Sequence, residues 1–286
     1  MTIGILGMRG YIGLRLAQFA EADGHRVIPF SRRPAAGYRE VSPGRPLDLS
    51  GLDAVVNLAG EPILGLWTAK KKEEILRSRV ETTRSVVEAL SSRGPRVLIN
   101  ASAIGFYGDT GENEVDETSP AGGGFLSEVC QAWENAALPA EAHGVRLVRL
   151  RIGFVTGPAG AMKFLRPLFK SFLGGKLGNG RQWMSWIHVD DVAEMILWAL
   201  ENESVRGPLN AVSPEPIRNS QFTRDVARAF HRVAVLPVPA FALRLALGDL
   251  SHLLLDSSRV RPAKAIELGY RYRQPSLARG LRGGRG

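Results

Sequence analysis

The sequence predicts an α/β protein, a doubly wound parallel sheet with a smaller C-terminal substrate lobe, and three observations carry that prediction. Apolar runs of strand length alternate with helix-period segments as far as residue 152. The first run is followed by Gly7, Gly10 and Gly13 and then by a helical pattern. Past Gly157 the alternation loosens, and prolines, glycines, Trp183, Trp186 and Trp198 crowd together.

Residues 2–6 are the first apolar run, and Ile12, Leu16, Phe19 and Ala20 then fall at helical spacing, with Gly24 as the stop signal. Residues 26–30, 54–58 and 96–101 read as the next three strands. Residues 71–91 are dense in charge but periodic in Ile75, Val80, Val86, Val87 and Leu90, which predicts a helix. A second long helix is expected over 128–143, followed by a strand over 145–152. Strands separated by helices lie parallel, because a crossover is needed to bring the chain back to the same edge. The expected division is a dinucleotide-type domain over 1–157, to which 186–212 return, and a lobe made of 158–185 and 213–286.

Composition narrows the classes. With 286 residues, 44% apolar and 23% charged, the chain is neither disordered nor low-complexity. At this length one sizeable core is expected. The single cysteine, Cys130, excludes an internal disulfide and a cysteine-rich metal site, and no metal is expected. No apolar run reaches the roughly 18 residues of a membrane helix; the stretch 241–250 is broken by Arg244 and Asp249. The beginning of the sequence reads as a strand rather than a targeting peptide, so a cytoplasmic location is expected. The net charge is +9, and residues 259–286 carry eight basic side chains against one acidic, Glu267. No aromatic side chain accompanies the glycine-rich residues 280–286, so a frayed, solvated tail is expected rather than a nucleic-acid site. The expected partner is a small molecule.

The motif Gly7-Met8-Arg9-Gly10-Tyr11-Ile12-Gly13 sits between a strand and a helix. Glycines there permit a tight turn and close backbone approach to a pyrophosphate, while the helix offers free N–H groups to its oxygens. In this context the motif predicts a Rossmann domain with a bound dinucleotide. NAD binders place an acidic residue after the second strand to hold the ribose hydroxyls. Here Ser31-Arg32-Arg33 stand instead, and Arg9 adds a cation on the same side. A guanidinium takes a 2′-phosphate in a charge-assisted contact, so the expected cofactor is NADP(H). Asn57-Leu58-Ala59-Gly60 closes the third strand with small residues against which a cofactor can lie.

The glycine motif, Asn57-Leu58-Ala59-Gly60-Glu61, Ser102 ahead of Gly105-Phe106-Tyr107-Gly108, and Trp186-Ile187-His188-Val189-Asp190-Asp191 together resemble the extended short-chain dehydrogenase/reductases. Ser78-Arg79-Val80-Glu81-Thr82-Thr83, Trp133-Glu134 and Gly160-Ala161-Met162 mark a closer resemblance to their epimerase-family branch, family 39U, with its C-terminal extension over 236–281. The resemblance covers nearly the whole chain. It implies an NADP cofactor contacted by Ser31 and Arg32 at the adenosine end and by Leu58 and Ala59, with Gly60 and Glu61, along one wall. It also assigns Glu74, Arg79, Ser102 and, near the nicotinamide, Phe154 to cofactor contacts. The superfamily's acid/base pair is a Tyr with a Lys four residues on, and no Tyr-x-x-x-Lys occurs here. Phe125 and Val129 stand where the pair would open a helix. Ser102 and Tyr107 are the remaining catalytic candidates, with Glu128, Cys130 and His188 behind them. Two functions stay open: an NADP(H)-dependent oxidoreductase or epimerase of a small carbonyl or hydroxyl compound, and a non-catalytic NADPH-binding regulatory module.

Overall fold

The computed structural model describes residues 1–33, 35–41, 46–91, 94–171, 174–233 and 237–282. The chain opens with β1 (Thr2–Leu6), α1 (Tyr11–Ala22), β2 (Arg26–Ser31), β3 (Arg39–Glu40), β4 (Ala54–Asn57), α2 (Ala69–Glu88) and β5 (Val97–Ala103). It continues through α3 (Phe125–Ala137), β6 (Arg146–Ile152), β7 (Phe154–Thr156), α4 (Ala161–Lys170), β8 (Trp183–Met184), β9 (Trp186–His188), α5 (Val189–Glu201) and β10 (Gly207–Ala211). Then come β11 (Ile217–Arg218), α6 (Asn219–Ala229), α7 (Ala240–Leu247), α8 (His252–Leu255), α9 (Ala263–Glu267) and α10 (Leu277–Arg282).

Among the described residues seven strands form one sheet in the order β10-β6-β5-β4-β1-β2-β3, and every pairing among them is parallel. The α/β, doubly wound Rossmann architecture read from the sequence is the one observed. Its strands are apolar on both faces because helices cover both. On one face Ile3, Ile5, Val56, Ile99 and Leu150 pack with α1 and α5. On the other, Leu6, Val55, Leu98 and Leu147 pack with Val86 and Val87 of α2. Each such side chain contributes roughly 1.5–3 kcal/mol by leaving water.

The second long helix differs from its expectation. It begins three residues earlier, at Phe125, and passes into a 3₁₀ turn over Leu138–His143. Pro139 has no N–H to donate and its ring crowds the preceding turn, so regular α geometry stops there. Strand β3, two residues long, carries no periodic signal and was not anticipated.

Beside the sheet's carboxyl edge, α4, α6 and α10 gather around Met162, Phe169, Trp186, Phe222 and Val226. Strand β7 pairs β9, and β8 pairs β11. The extension threads between this layer and the sheet. The N–H of Val115 donates to Arg259 O at 3.0 Å and that of Arg261 to Val115 O at 2.8 Å. The N–H of Gly178 donates to Val238 O at 2.8 Å. Both carboxylate oxygens of Asp191, in the first turn of α5, accept backbone N–H groups, from Arg273 at 2.6 Å and Gln274 at 3.0 Å. Tyr270 and Ala265 of the extension lie in the same apolar core as α1 and α5. Of the expected frayed tail, residues 283–286 lie outside the described residues. No helix among the described residues is long and apolar enough to cross a membrane.

Candidate functional site

The turn after β1 is held by steric necessity. Gly7 has φ +80°, and a Cβ there would stand 2.7 Å from the Leu58 carbonyl carbon and oxygen. A Cβ on Gly13 would reach Gly7 O at 2.5 Å and Met8 Cα at 2.6 Å. Gly10 differs: its φ is −75° and a Cβ would meet only Gly7 O, at 3.2 Å. Gly7 thus seats the turn against the end of β4, Gly13 seats α1 on the turn, and Gly10 leaves the turn's outer side bare. Helix α1 has no capping side chain and no acidic residue in its first turn. By contrast, Thr68 caps α2 by accepting from Lys71 N, and His188 caps α5 by accepting from Asp190 N. An uncapped N-terminus with its positive dipole end is suited to an anion.

Beside it, at the end of β2, Arg32 and Arg33 are exposed. Ser31 Oγ accepts the Arg33 N–H at 3.1 Å, fixing the turn that projects them. Arg9 lies over the Tyr38 ring, 5.0 Å from its centroid. Among the described residues no carboxylate pairs with Arg9, Arg32 or Arg33. Tyr38 carried no signal in the sequence, because the contact spans a loop.

The wall at the end of β4 is set by a buried polar cluster. Asn57 Nδ2 donates to Asn100 Oδ1 at 2.8 Å and to Thr83 Oγ1 at 3.1 Å. Trp133 Nε1 donates to the same Thr83 oxygen at 3.0 Å, and Asn57 Oδ1 accepts the Ala59 N–H at 3.2 Å. Leu58 and Ala59 are therefore positioned from both flanking helices. Arg79 turns inward, donating to Glu61 O and Ile75 O at 3.0 Å and lying over the Trp133 ring. Burial lowers its pKa. Its guanidinium is packed against Gly60, 3.1 Å from where a Cβ would stand. Glu61 accepts Lys71 Nζ at 2.6 Å, and Glu74 is half-buried on α2.

Tyr11 and Ile12 open α1, and the Tyr11 hydroxyl accepts the Ala159 N–H at 3.3 Å, tying the glycine turn to the 157–160 loop. Met8 packs on the core beneath the turn. Phe154 stands edge-on to Phe222, ring centroids 5.5 Å apart, and donates its N–H to Ser185 O at 2.9 Å.

Both catalytic candidates belong to one buried network instead of an open cleft. Ser102, 2% exposed, donates its hydroxyl to Glu134 Oε1 at 2.8 Å. Arg151 donates Nε to that oxygen and Nη2 to Oε2, and its Nη1 donates to the Tyr107 hydroxyl at 2.9 Å. Tyr107 in turn donates to Asn210 Oδ1 at 2.8 Å, and burial pushes its pKa up to about 12. A phenol so buried and so high in pKa is poorly matched to proton exchange near neutral pH. Among the second-rank candidates, Cys130 is buried with its thiol pushed up to about 11 by desolvation, and Glu128 is exposed on α3. His188 is the cap of α5 described above.

At the place of the superfamily's phenol, Phe125 stands edge-on to Trp67, centroids 5.2 Å apart. Lys72 Nζ lies 5.2 Å from its ring centre and pairs with Asp249 of the extension. Val129 is 3% exposed and faces the interior. Sequence reasoning missed Lys72, whose partners lie 53 and 177 residues away. Among the described residues no cluster of three or more His, Cys, Asp or Glu stands ready to hold a metal.

The family model described as the NAD dependent epimerase/dehydratase family matches residues 3–211. The chain belongs to that family. A second model, a domain of unknown function designated DUF1731, matches residues 238–282 of this epimerase-family chain. The epimerase family protein SDR39U1 homolog of Arabidopsis thaliana, described as chloroplastic, is 37% identical, the match covering 99% of this chain and 86% of that protein. Epimerase family protein YfhF of Bacillus subtilis is 38% identical, covering 97% and 95%. The crystal structure of human SDR39U1 isoform 2 with NADPH superposes with a TM-score of 0.93 at 33% identity, covering 99% of both chains. UDP-glucose 4-epimerase of Thermus thermophilus, 20% identical with a TM-score of 0.75, shares the fold.

Proposed function

We propose that this epimerase-family chain binds NADP(H) and acts as an oxidoreductase or epimerase on a small carbonyl or hydroxyl compound, without the Tyr–Lys pair of the wider superfamily. The observation that carries the cofactor reading is the group of three cations, Arg9, Arg32 and Arg33, that among the described residues pair with no carboxylate and stand beside the uncapped N-terminus of α1. The residues present fit the group: the turn at Gly10 is open on its outer side, and no carboxylate follows β2 to repel a 2′-phosphate. The NADPH in the structure of the human relative supports the same choice.

In this reading the α1 N–H groups hold the pyrophosphate, Arg32 and Arg33 with Ser31 take the 2′-phosphate, and Arg9 is steadied over Tyr38 to help them. Leu58 and Ala59 form one wall, and Phe154 stands at the nicotinamide end. When bound, the cofactor supplies a hydride donor or acceptor. Phe125 has no proton to give, so the substrate oxygen is served by water or by an acid of the substrate itself.

One observation favours a second reading, an NADPH-holding regulatory module without turnover: the Ser102 and Tyr107 hydroxyls are both committed to buried partners. Titration calorimetry with NADPH and NADH tests the shared cofactor claim. NADPH is expected to bind on the order of tenfold or more tighter, as one charge-assisted contact allows. Arg32→Ala should erase that preference and leave NADH unchanged; equal affinities in the parent overturn the assignment. A panel of small carbonyls assayed for NADPH oxidation then separates the two readings.

A further inference from the structure

We propose that a cleft formed jointly by the sheet's loop after β5, the lobe and the C-terminal extension binds the anionic group, a carboxylate or phosphate, of a small organic molecule. The cleft holds about 400 Å³, within the range of small-molecule sites. Its walls come from three parts of the chain: Asp109 and Glu112 follow β5, Asn179 and Arg181 precede β8, and Arg244 and Ser257 belong to the extension.

The charges on these walls are not equivalent. Asp109 Oδ1 already accepts the N–H groups of Gly111 and Ser257, both at 3.0 Å. The Glu112 carboxylate is filled by both terminal nitrogens of Arg218, at 2.8 and 2.7 Å, and by Trp183 Nε1 at 3.1 Å. Asp256, which acts on Arg244 at longer range, is held by His252 at 3.0 Å. Arg181 and Arg244 are exposed, Arg181 acts on Glu112 only at longer range, and among the described residues neither guanidinium donates a hydrogen bond or forms an ion pair. Glu112 is balanced by Arg218 and Asp109 is occupied by backbone N–H groups, while two cations, carried on different walls, are left for a ligand. Paired guanidiniums recognise carboxylate and phosphate oxygens through charge-assisted, planar contacts. The cleft opens at the carboxyl side of the parallel sheet, where open α/β folds bind ligands. That this anion is the charged end of the substrate rests on the proposed function; the anion site itself shares no residue with the cofactor reading.

The test is calorimetric titration of the whole protein, saturated with NADPH, with pyrophosphate, succinate and the uncharged succinamide. Resonances of ¹⁵N-labelled arginine Nε groups are followed in parallel. Saturable binding of one anion but not of succinamide is expected, with the Arg181 and Arg244 resonances shifting. Pyrophosphate prevailing identifies a phosphate site, and succinate a carboxylate site. Arg181→Ala and Arg244→Ala should each weaken binding on the order of tenfold or more, and leave the melting temperature and NADPH affinity unchanged. Arg244→Glu should abolish it. Binding of neither anion, or binding indifferent to all three variants, overturns the proposal. If NADPH itself fails to bind, the cofactor reading falls, and the same titrations on the parent protein without NADPH still decide the anion site.

Discussion

Arg151 grips Glu134 with two parallel hydrogen bonds, Nε to Oε1 at 2.8 Å and Nη2 to Oε2 at 3.0 Å, with both residues 3% exposed or less. The same guanidinium stacks 3.5 Å from the centre of the Phe106 ring and donates to Tyr107. Strand β6 and helix α3 are thereby locked together beneath the end of β5. Removing one member of a buried pair strands the other charge in low dielectric. Glu134→Ala should therefore cost about 3–5 kcal/mol in urea unfolding, while Ser102→Ala, which loses one hydrogen bond to the same carboxylate, should cost only about 1 kcal/mol. A Ser102→Ala protein of parental stability that loses turnover would return Ser102 to the chemistry.

The cap of α5 makes stability depend on pH. Burial lowers the His188 pKa below its ordinary 6.5, with Asp190 opposing the shift and Arg15 adding to it. The neutral ring accepts the Asp190 N–H, which the protonated ring does not. The folded state therefore binds fewer protons than the unfolded one. Its contribution is complete above pH 6.5 and is lost as the pH falls below that value, with a slope of at most about 1.4 kcal/mol per unit. His188→Asn keeps a capping oxygen but does not titrate. Denaturant midpoints at pH 7.5 and 5.5 should fall less for the variant than for the parent.

Gly7 and Gly10 look alike in sequence but should fail differently. Gly7→Ala forces a left-handed residue against the Leu58 backbone and should cost roughly 3 kcal/mol or more. Gly10→Ala meets only one oxygen at 3.2 Å and should remain within about 1 kcal/mol of the parent. Its methyl nevertheless occupies the bare side of the turn, so NADPH affinity should collapse. A Gly10→Ala protein that still binds NADPH normally contradicts the placement of the pyrophosphate.

Reinstalling the superfamily's acid/base pair should work at one position only. Phe125→Tyr adds a hydroxyl to a half-buried ring and should melt with the parent. Val129→Lys puts an ammonium at a site 3% exposed and should cost about 3 kcal/mol or more, as a buried unpaired charge does. Thermal melts of the two single variants, compared before any assay, check this.

The sheet, the first helices and the glycine turn were legible because their signals are local: alternating apolar runs, one helical period, and glycines at fixed offsets. The cations at the end of β2 were legible for the same reason. What stayed hidden depends on distant partners. Tyr107 looked available because Asn210 lies 103 residues away and Arg151 44. Arg79 faces inward because Trp133, on another helix, offers it a ring. Periodicity alone starts α3 at 128, because Gly124 supplies no capping side chain to announce it, whereas the family resemblance puts Phe125 at the helix opening, as observed.

The two backbone N–H groups that Asp191 receives arrive from residues 273 and 274, some eighty positions after the helix they steady. Synthesis delivers the sheet first, at roughly 5–20 residues per second. Until residue 274 has left the ribosome, the Asp191 carboxylate and the apolar face that Tyr270 covers are turned to water. The nascent sheet must then survive for several seconds with that flank uncovered, a window in which a chaperone, or another unfinished copy, competes for it. A released chain truncated near residue 215 should accordingly stay sensitive to protease along α5, where the full-length protein is resistant.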